Sequence, residues 1–294
     1  MLKKLCLILF WILLGAMPGQ AQLVKEYKVS ERKGFDLVKL HFSTYKSLTQ
    51  LKRVQSLDPI YIHGHLQKSN ILPDFSYSLS DNVLNTYLIH KNIESDNLGK
   101  SITSKLFNSD PGFEHSWDLG LASGYLYDLD FNLGMGKADF DLAQIPVATF
   151  KVKSASADVN ISYGNFTPNQ VEMDTLLVIL NMGSVAVQNA NFTNARKMIF
   201  EVNYGSIDLN FSDGMGASSQ VIAAVSGGTV YVKLPPDKFP YRIKLKTTPM
   251  CRTKLPNSLR SLEKGVYVSK GYNASDPKLL ELILDVGVGS LTVE

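Results

Sequence analysis

The chain carries five histidines, and two of them form the segment His63-Gly64-His65. Side chains two residues apart in an extended strand share a face, so these imidazoles could meet a metal together with His41, His90 or His115. No C-x-x-C or H-E-x-x-H pattern frames them, and they read as ordinary strand histidines. Asp139, Asp158 and Asp208 fall at one outward position of a recurring phrase, where stacked carboxylates would offer calcium its several oxygens. Ala186, Tyr231 and Thr292 stand at that position in other copies and interrupt the ladder. Asp139 and Asp141 would serve glycoside hydrolysis only across a cleft of set width, and a solvated strand face accounts for them. There is no G-x-S-x-G, and Ser218-Ser219 follow a Gly214-Met215-Gly216 loop with no histidine nearby. Gly134-x-Gly136 and Gly287-x-Gly289 precede no helix, so they lack the dipole and free N–H groups that bind phosphate. The sequence thus assigns no catalytic, cofactor-binding or metal residue, and a non-enzymatic role is expected.

The phrase itself is Leu129–Leu142, LDFNLGMGKADFDL. It returns as Phe150–Ile161, with Phe131 matching Phe150 and Asp139 matching Asp158, and again as Val178–Val187, Phe200–Leu209, Ala223–Val232 and Ile283–Val293. Each copy alternates apolar and polar residues, turns at a corner, and alternates again. Period-two alternation marks a half-buried strand. The corner residues are Gly136, Ala155, Gly183, Gly205, Gly228 and Gly289, spaced 19, 28, 22, 23 and 61 apart. Glycine suits a corner because it takes positive φ without a Cβ clash. Asn181 and Asn203 beside two corners suit the left-handed region. One such unit cannot bury its apolar face alone, whereas stacked units can. The expectation is an all-β fold: an irregular, stacked, β-solenoid-like twisted sheet with short Gly-centred corners.

Residues 1–21 read as a signal peptide, with Lys3 and Lys4, the apolar run Leu5–Ala16, and Gly19-Gln20-Ala21 at the cleavage positions. The run is shorter than the roughly 20 residues needed to span a bilayer, so no transmembrane segment is expected after cleavage. Cys6 lies inside that run, which leaves Cys251 alone and no internal disulfide, and Cys251 reads as a buried small apolar residue. Removing Lys3 and Lys4 from 30 basic residues leaves 28 against 27 acidic ones. So near-neutral a surface gives no reason to expect nucleic acid. Between the signal and residue 114 the strand candidates are Leu37–Phe42, Ile60–Leu66 and a hairpin, Phe75–Leu79 returning over Leu84–Ile89 through Ser80-Asp81-Asn82. Lys91–Phe113 reads as an exposed loop before the strand His115–Leu119.

Trp117-Asp118-Leu119 followed by Leu129–Leu142 resembles the toast-rack domain family over about residues 24–165. The later copies, with their closing G-x-G-S-φ-x-V strand, are similar to the LiaF-like and putative-adhesin β-solenoid domains. These are all-β domains of bacterial exported envelope proteins, and the resemblance brings no catalytic residues with it. The expected organisation is a signal peptide (1–21), a strand-rich part that the resemblance makes toast-rack-like (22–114), and solenoid-like repeats (115–294) with an insertion at about 233–280. That insertion carries Lys233, Lys238, Arg242, Lys244, Lys246, Arg252, Lys254, Arg260 and Lys264. They read as the solvated side of a half-exposed strand, or as a patch for an acidic polysaccharide or lipid headgroup. The five N-x-S/T triplets, at Asn160, Asn165, Asn191, Asn210 and Asn273, read as turn-forming asparagines in a bacterial protein.

The expected function is a structural, adhesin-like or binding role at the periplasmic or outer face of the envelope, without cofactors. The alternatives are a regulatory partner in envelope stress signalling, and a polysaccharide-active enzyme. If Ala155 holds the positive φ of a corner, Ala155→Gly should raise stability by up to about 1 kcal/mol in a urea titration.

Overall fold

The computed structural model describes residues 23–66, 72–90 and 115–294. The candidate signal peptide and the loop Lys91–Phe113 lie outside these residues. The strands in chain order are β1 Leu23–Val29, β2 Leu37–Val54, β3 Ile60–Leu66, β4 Asp74–Ser80, β5 Val83–Ile89, β6 His115–Ala122, β7 Tyr127–Asp141 and β8 Val147–Ser162. There follow β9 Met173–Val187, β10 Ala195–Asn210, β11 Ser219–Lys233, β12 Tyr241–Thr247, β13 Cys251–Lys254, β14 Arg260–Glu263, β15 Val266–Val268 and β16 Leu280–Val293.

The long strands lie parallel and in register, β2 beside β7, then β8, β9, β10, β11 and β16. A straight strand the length of β9 would separate its ends by roughly 46 Å. Yet residues 188–194 alone carry the chain from its end to the start of β10, its parallel neighbour. The strand must therefore fold back on itself. The ring centroids of Phe131 and Phe140, nine positions apart on β7, are 4.6 Å from each other. Each long strand is thus a bent pair of arms whose inner faces meet. The first arm buries Leu129, Phe131 and Leu133, the second Ala138 and Phe140, and every rung repeats this arrangement. Burying a Phe or Leu side chain is worth roughly 1.5–3 kcal/mol, and the two stacked arms bury several per rung.

The bends stack as well. Gly136, Gly183, Gly205, Gly228 and Gly289 have φ of 141°, 118°, 147°, 145° and 133°. A Cβ on Gly205 would sit 1.7 Å from the carbonyl oxygen of Gly183, and one on Gly228 1.8 Å from that of Gly205. Both conformation and the neighbouring backbone demand glycine there.

Two rungs manage without it, and here the sequence alignment needs correcting. The residue opposite Gly136 and Gly183 is Ala157, not Ala155. The pairing is Phe131 with Val152 and Asp139 with Asn160, two residues from the expected match. Ala155 has no positive φ. On the other side of Gly136 stands Ser47, so β2 is itself a complete rung rather than the short strand Leu37–Phe42. Ser47 and Ala157 keep ordinary φ and are buried. Asn181 and Asn203 do not take the left-handed region either: the Asn203 amide donates to Oδ1 of Asn181 at 2.7 Å, one rung away.

At one end, the first arm of β2 pairs with β5 and its second arm with β6. The β4–β5 hairpin forms as expected, its turn set by Asp81 and Asn82 at φ 52° and 58°. At the other end residues 233–280 extend the stack. Strand β12 pairs with the first arm of β16 and β13 with its second arm, with Cys251 opposite Gly289. Strand β16 therefore lies between β11 and the strands that precede it in the chain. Short, exposed, charged β13 and β14 finish the two sheet edges, which discourages further strand addition.

Gly205→Ala should cost about 3 kcal/mol or more in urea unfolding, from combined strain and backbone clash. Ala155→Gly should now lower stability, by up to about 1 kcal/mol, because it only loosens the unfolded chain.

Candidate functional site

With both arms packed on each other, any ligand must be met by the outer faces. Parallel register turns those faces into rows of side chains one strand spacing apart, about 4.8 Å. On the first-arm face one row runs Tyr87, His41, Asp130, Lys151 across β5, β2, β7 and β8. The next row runs Ile89, Ser43, Asn132, Lys153. Ser43 and Asn132 are short, and the surface dips above them into a depression of about 340 Å³. Its walls are His41, Tyr87, Ile89, Asp130 and Lys153.

Tyr87 and His41, as neighbours in one row, stack with centroids 4.9 Å apart and an 8° angle between planes. His41 Nδ1 lies 3.5 Å from Asp130 Oδ2, and both side chains are about two-fifths exposed. The depression thus presents a carboxylate, an ammonium, an amide, a hydroxyl and an imidazole beside an aromatic and an aliphatic wall. One acid and one lysine balance. Such a set can hydrogen-bond a neutral, polyhydroxylated ligand while an apolar ring edge packs on Tyr87 or Ile89.

Ser43, His41 and Asp130 have the residue types of a hydrolytic triad but not its geometry. Ser43 makes no hydrogen bond to His41, and the backbone N–H groups around it serve the parallel ladder, so no oxyanion donors are free. A second depression of about 360 Å³, on the second-arm face, is lined by Leu48, Gln50, His65, Ser116, Trp117 and Asp118. It offers no cation, and Trp117 is wholly buried.

The residues singled out from sequence are dispersed. His63 and His65 stand on the outer face of β3, with His63 Nδ1 3.5 Å from Glu26. His90 packs edge to face on His115, with centroids 4.5 Å apart, and on Trp117 at 5.7 Å. Asp139 and Asp208 share one row, separated by Asn160 and Ala186, and Asp158 stands outside it. Asp139 aligns with Asn160, Asp158 with Lys137 and Ser184, and Asp208 with Ala186 and Tyr231. Asp158 accepts the Ser184 hydroxyl at 2.6 Å, and Asp139 lies 3.3 Å from Lys137 Nζ. Among the described residues no group of three or more His, Cys, Asp or Glu is placed to hold a metal ion. The basic stretch is divided between the two sheets. Arg242, Lys244 and Lys246 line β12, where Arg242 pairs with Glu281 and Lys246 stands opposite Asp285, while Arg252 and Lys254 lie on β13. Cys251 is half-buried against the core. Asn191 is buried, its Oδ1 accepting from the Ser212 backbone and hydroxyl, so it is closed to modification.

No protein-family model matches the chain, and no curated protein matches it. Among solved structures it is similar to a "putative cell adhesion protein" from Clostridium sporogenes, at 14% identity and a TM-score of 0.47, over 92% of this chain and 98% of that one. It is also similar to a "putative adhesin" from Bacteroides fragilis, at 13% identity and a TM-score of 0.34, over 94% of this chain and 99% of that one. Among the described residues no helix is long and apolar enough to cross a membrane.

Partial burial raises the carboxyl of Asp208 above its ordinary value. The folded protein then binds that proton more tightly than the unfolded chain, so ionised Asp208 costs stability as pH rises through the raised value. Asp208→Asn should therefore raise Tm near about pH 7 and leave it unchanged near about pH 3, by calorimetry.

Proposed function

We propose that this is a non-enzymatic, adhesin-like binding protein of the bacterial envelope, exported to the periplasm or cell surface. The observation that carries the binding part is the depression between Tyr87, His41, Asp130 and Lys153, floored by Ser43 and Asn132. It supplies donors, acceptors and an aromatic wall on a rigid sheet, and no activated nucleophile. Its ligand would be one sugar residue of an oligosaccharide, the type of molecule that balances apolar ring carbons against many hydroxyls. The envelope part rests on the signal-like residues 1–21, on the resemblance of Trp117–Leu119 and Leu129–Leu142 to toast-rack domains, and on that of the later copies to LiaF-like domains.

The test is a screen of neutral and uronic-acid oligosaccharides by calorimetry, with mass analysis of the recovered sugar. Asn132→Ala and Tyr87→Ala should each weaken binding about tenfold or more without moving Tm, since both side chains are at the surface. Binding that ignores both substitutions would remove the depression from the account. Cleavage of the recovered sugar would replace the binding role with an enzymatic one.

A further inference from the structure

The outer edge of the bends carries a second feature, unrelated to the depression. Immediately before the column of bend glycines runs the row Lys46, Met135, Ser156, Met182, Tyr204, Gly227, Val288. Such positions are convex, because each strand folds back at the following residue. Met182, Tyr204 and Val288 are 39%, 67% and 52% exposed. Gly227 leaves no gap: a Cβ there would lie 3.3 Å from the Tyr204 ring, which leans across it. Beyond Val288 the ridge continues into Met250, 72% exposed, whose carbonyl accepts the Gly289 amide. From Met182 to Met250 it covers four strand spacings, roughly 19 Å.

Large apolar side chains this exposed and this contiguous mark an interaction surface. Being convex, the ridge cannot receive another convex protein surface. It can enter a soft medium. Each end of the crest is cationic: Lys46 closes its row opposite Met135, and Arg252, opposite Ser290, stands one residue past the bend at the other end, while Asp158 between them is opposite Lys137. Four residues before the bends, down the first-arm face, Lys153, Glu201, Asp285 and Lys246 share one row and balance one another.

We propose that this ridge docks the protein on the surface of a bilayer containing anionic lipid. Met182, Tyr204, Val288 and Met250 would enter the boundary between headgroups and acyl chains, with the Tyr204 hydroxyl at headgroup level. Lys46 and Arg252 would meet lipid phosphates and make the contact sensitive to salt. Association is peripheral and reversible, since a few side chains supply it.

The protein recovered from its exporting cell is co-sedimented with phosphatidylcholine vesicles, with and without phosphatidylglycerol. Association is expected with the anionic vesicles and should fall about tenfold in a Met182→Ser/Tyr204→Ser/Val288→Ser/Met250→Ser variant of unchanged Tm. A Tyr204→Trp variant should shift its emission to shorter wavelength on those vesicles, which reports the ridge itself whatever the N-terminal apolar run contributes. Unshifted emission, or equal binding by the fourfold variant, overturns the proposal. So does a lipid-free dimer that the fourfold variant loses, because the occupant of the ridge is then a second copy.

Discussion

Everything in this molecule depends on how closely the bends approach one another. At each glycine bend the carbonyl oxygen of the preceding bend occupies the place where a side chain would begin. That contact holds successive rungs in one register, and register decides the rest. It sets Phe42 beside Phe131 inside, with ring centroids 5.7 Å apart, and Val152 on the other side of Phe131. It also assembles the outer rows, including the one that stacks His41 on Tyr87. Slipping a strand by one residue would turn its whole apolar set to solvent, so the core itself resists that error.

A slip of two residues is different, and it explains where the sequence was ambiguous. Such a slip preserves which residues face inward, so alternation cannot detect it. In β8 both Phe150 and Val152 are apolar and in phase, and either could stand beside Phe131. The segment Ser154-Ala155-Ser156-Ala157 has no glycine to mark its bend. Wherever a positive-φ glycine is present, at Gly183, Gly205, Gly228 and Gly289, the bend was legible from sequence. It was not legible in β2, where Ser47 bends with ordinary φ. The same two-residue error placed Asp158 in the row of Asp139 and Asp208, where Asn160 stands instead.

The candidate site was illegible for a related reason. His41 and Asp130 are 89 positions apart, and Tyr87 and Lys153 belong to further strands. Only a register joins them, and no local pattern announces it. The ridge of Met182, Tyr204 and Val288 was hidden in the same way, since each residue alone reads as an ordinary neighbour of a corner. The hairpin at Asp81-Asn82 was legible because turn chemistry is local. The insertion at 233–280 was half legible. Its alternation over Tyr241–Lys246 marked a half-exposed strand, but not that β12 and β13 together build a further rung beyond β16. Pro240, Pro249 and Pro256 sit outside its strands, where missing amide donors are harmless.

The central claim is therefore one of register, and cysteine cross-linking tests it most directly. In a Cys251→Ser background, Asp139→Cys with Asn160→Cys places two thiols on directly opposed residues of β7 and β8. Asp139→Cys with Asp158→Cys places them in the register that the sequence alone suggested. Paired Cα atoms on adjacent strands lie within the reach of a disulfide, whereas a two-residue offset lengthens the separation beyond about 7 Å. The account predicts rapid, near-complete oxidation of the first pair in the folded protein and little of the second. Preferential cross-linking of the second pair would contradict the register, and with it the rows on which both surfaces rest.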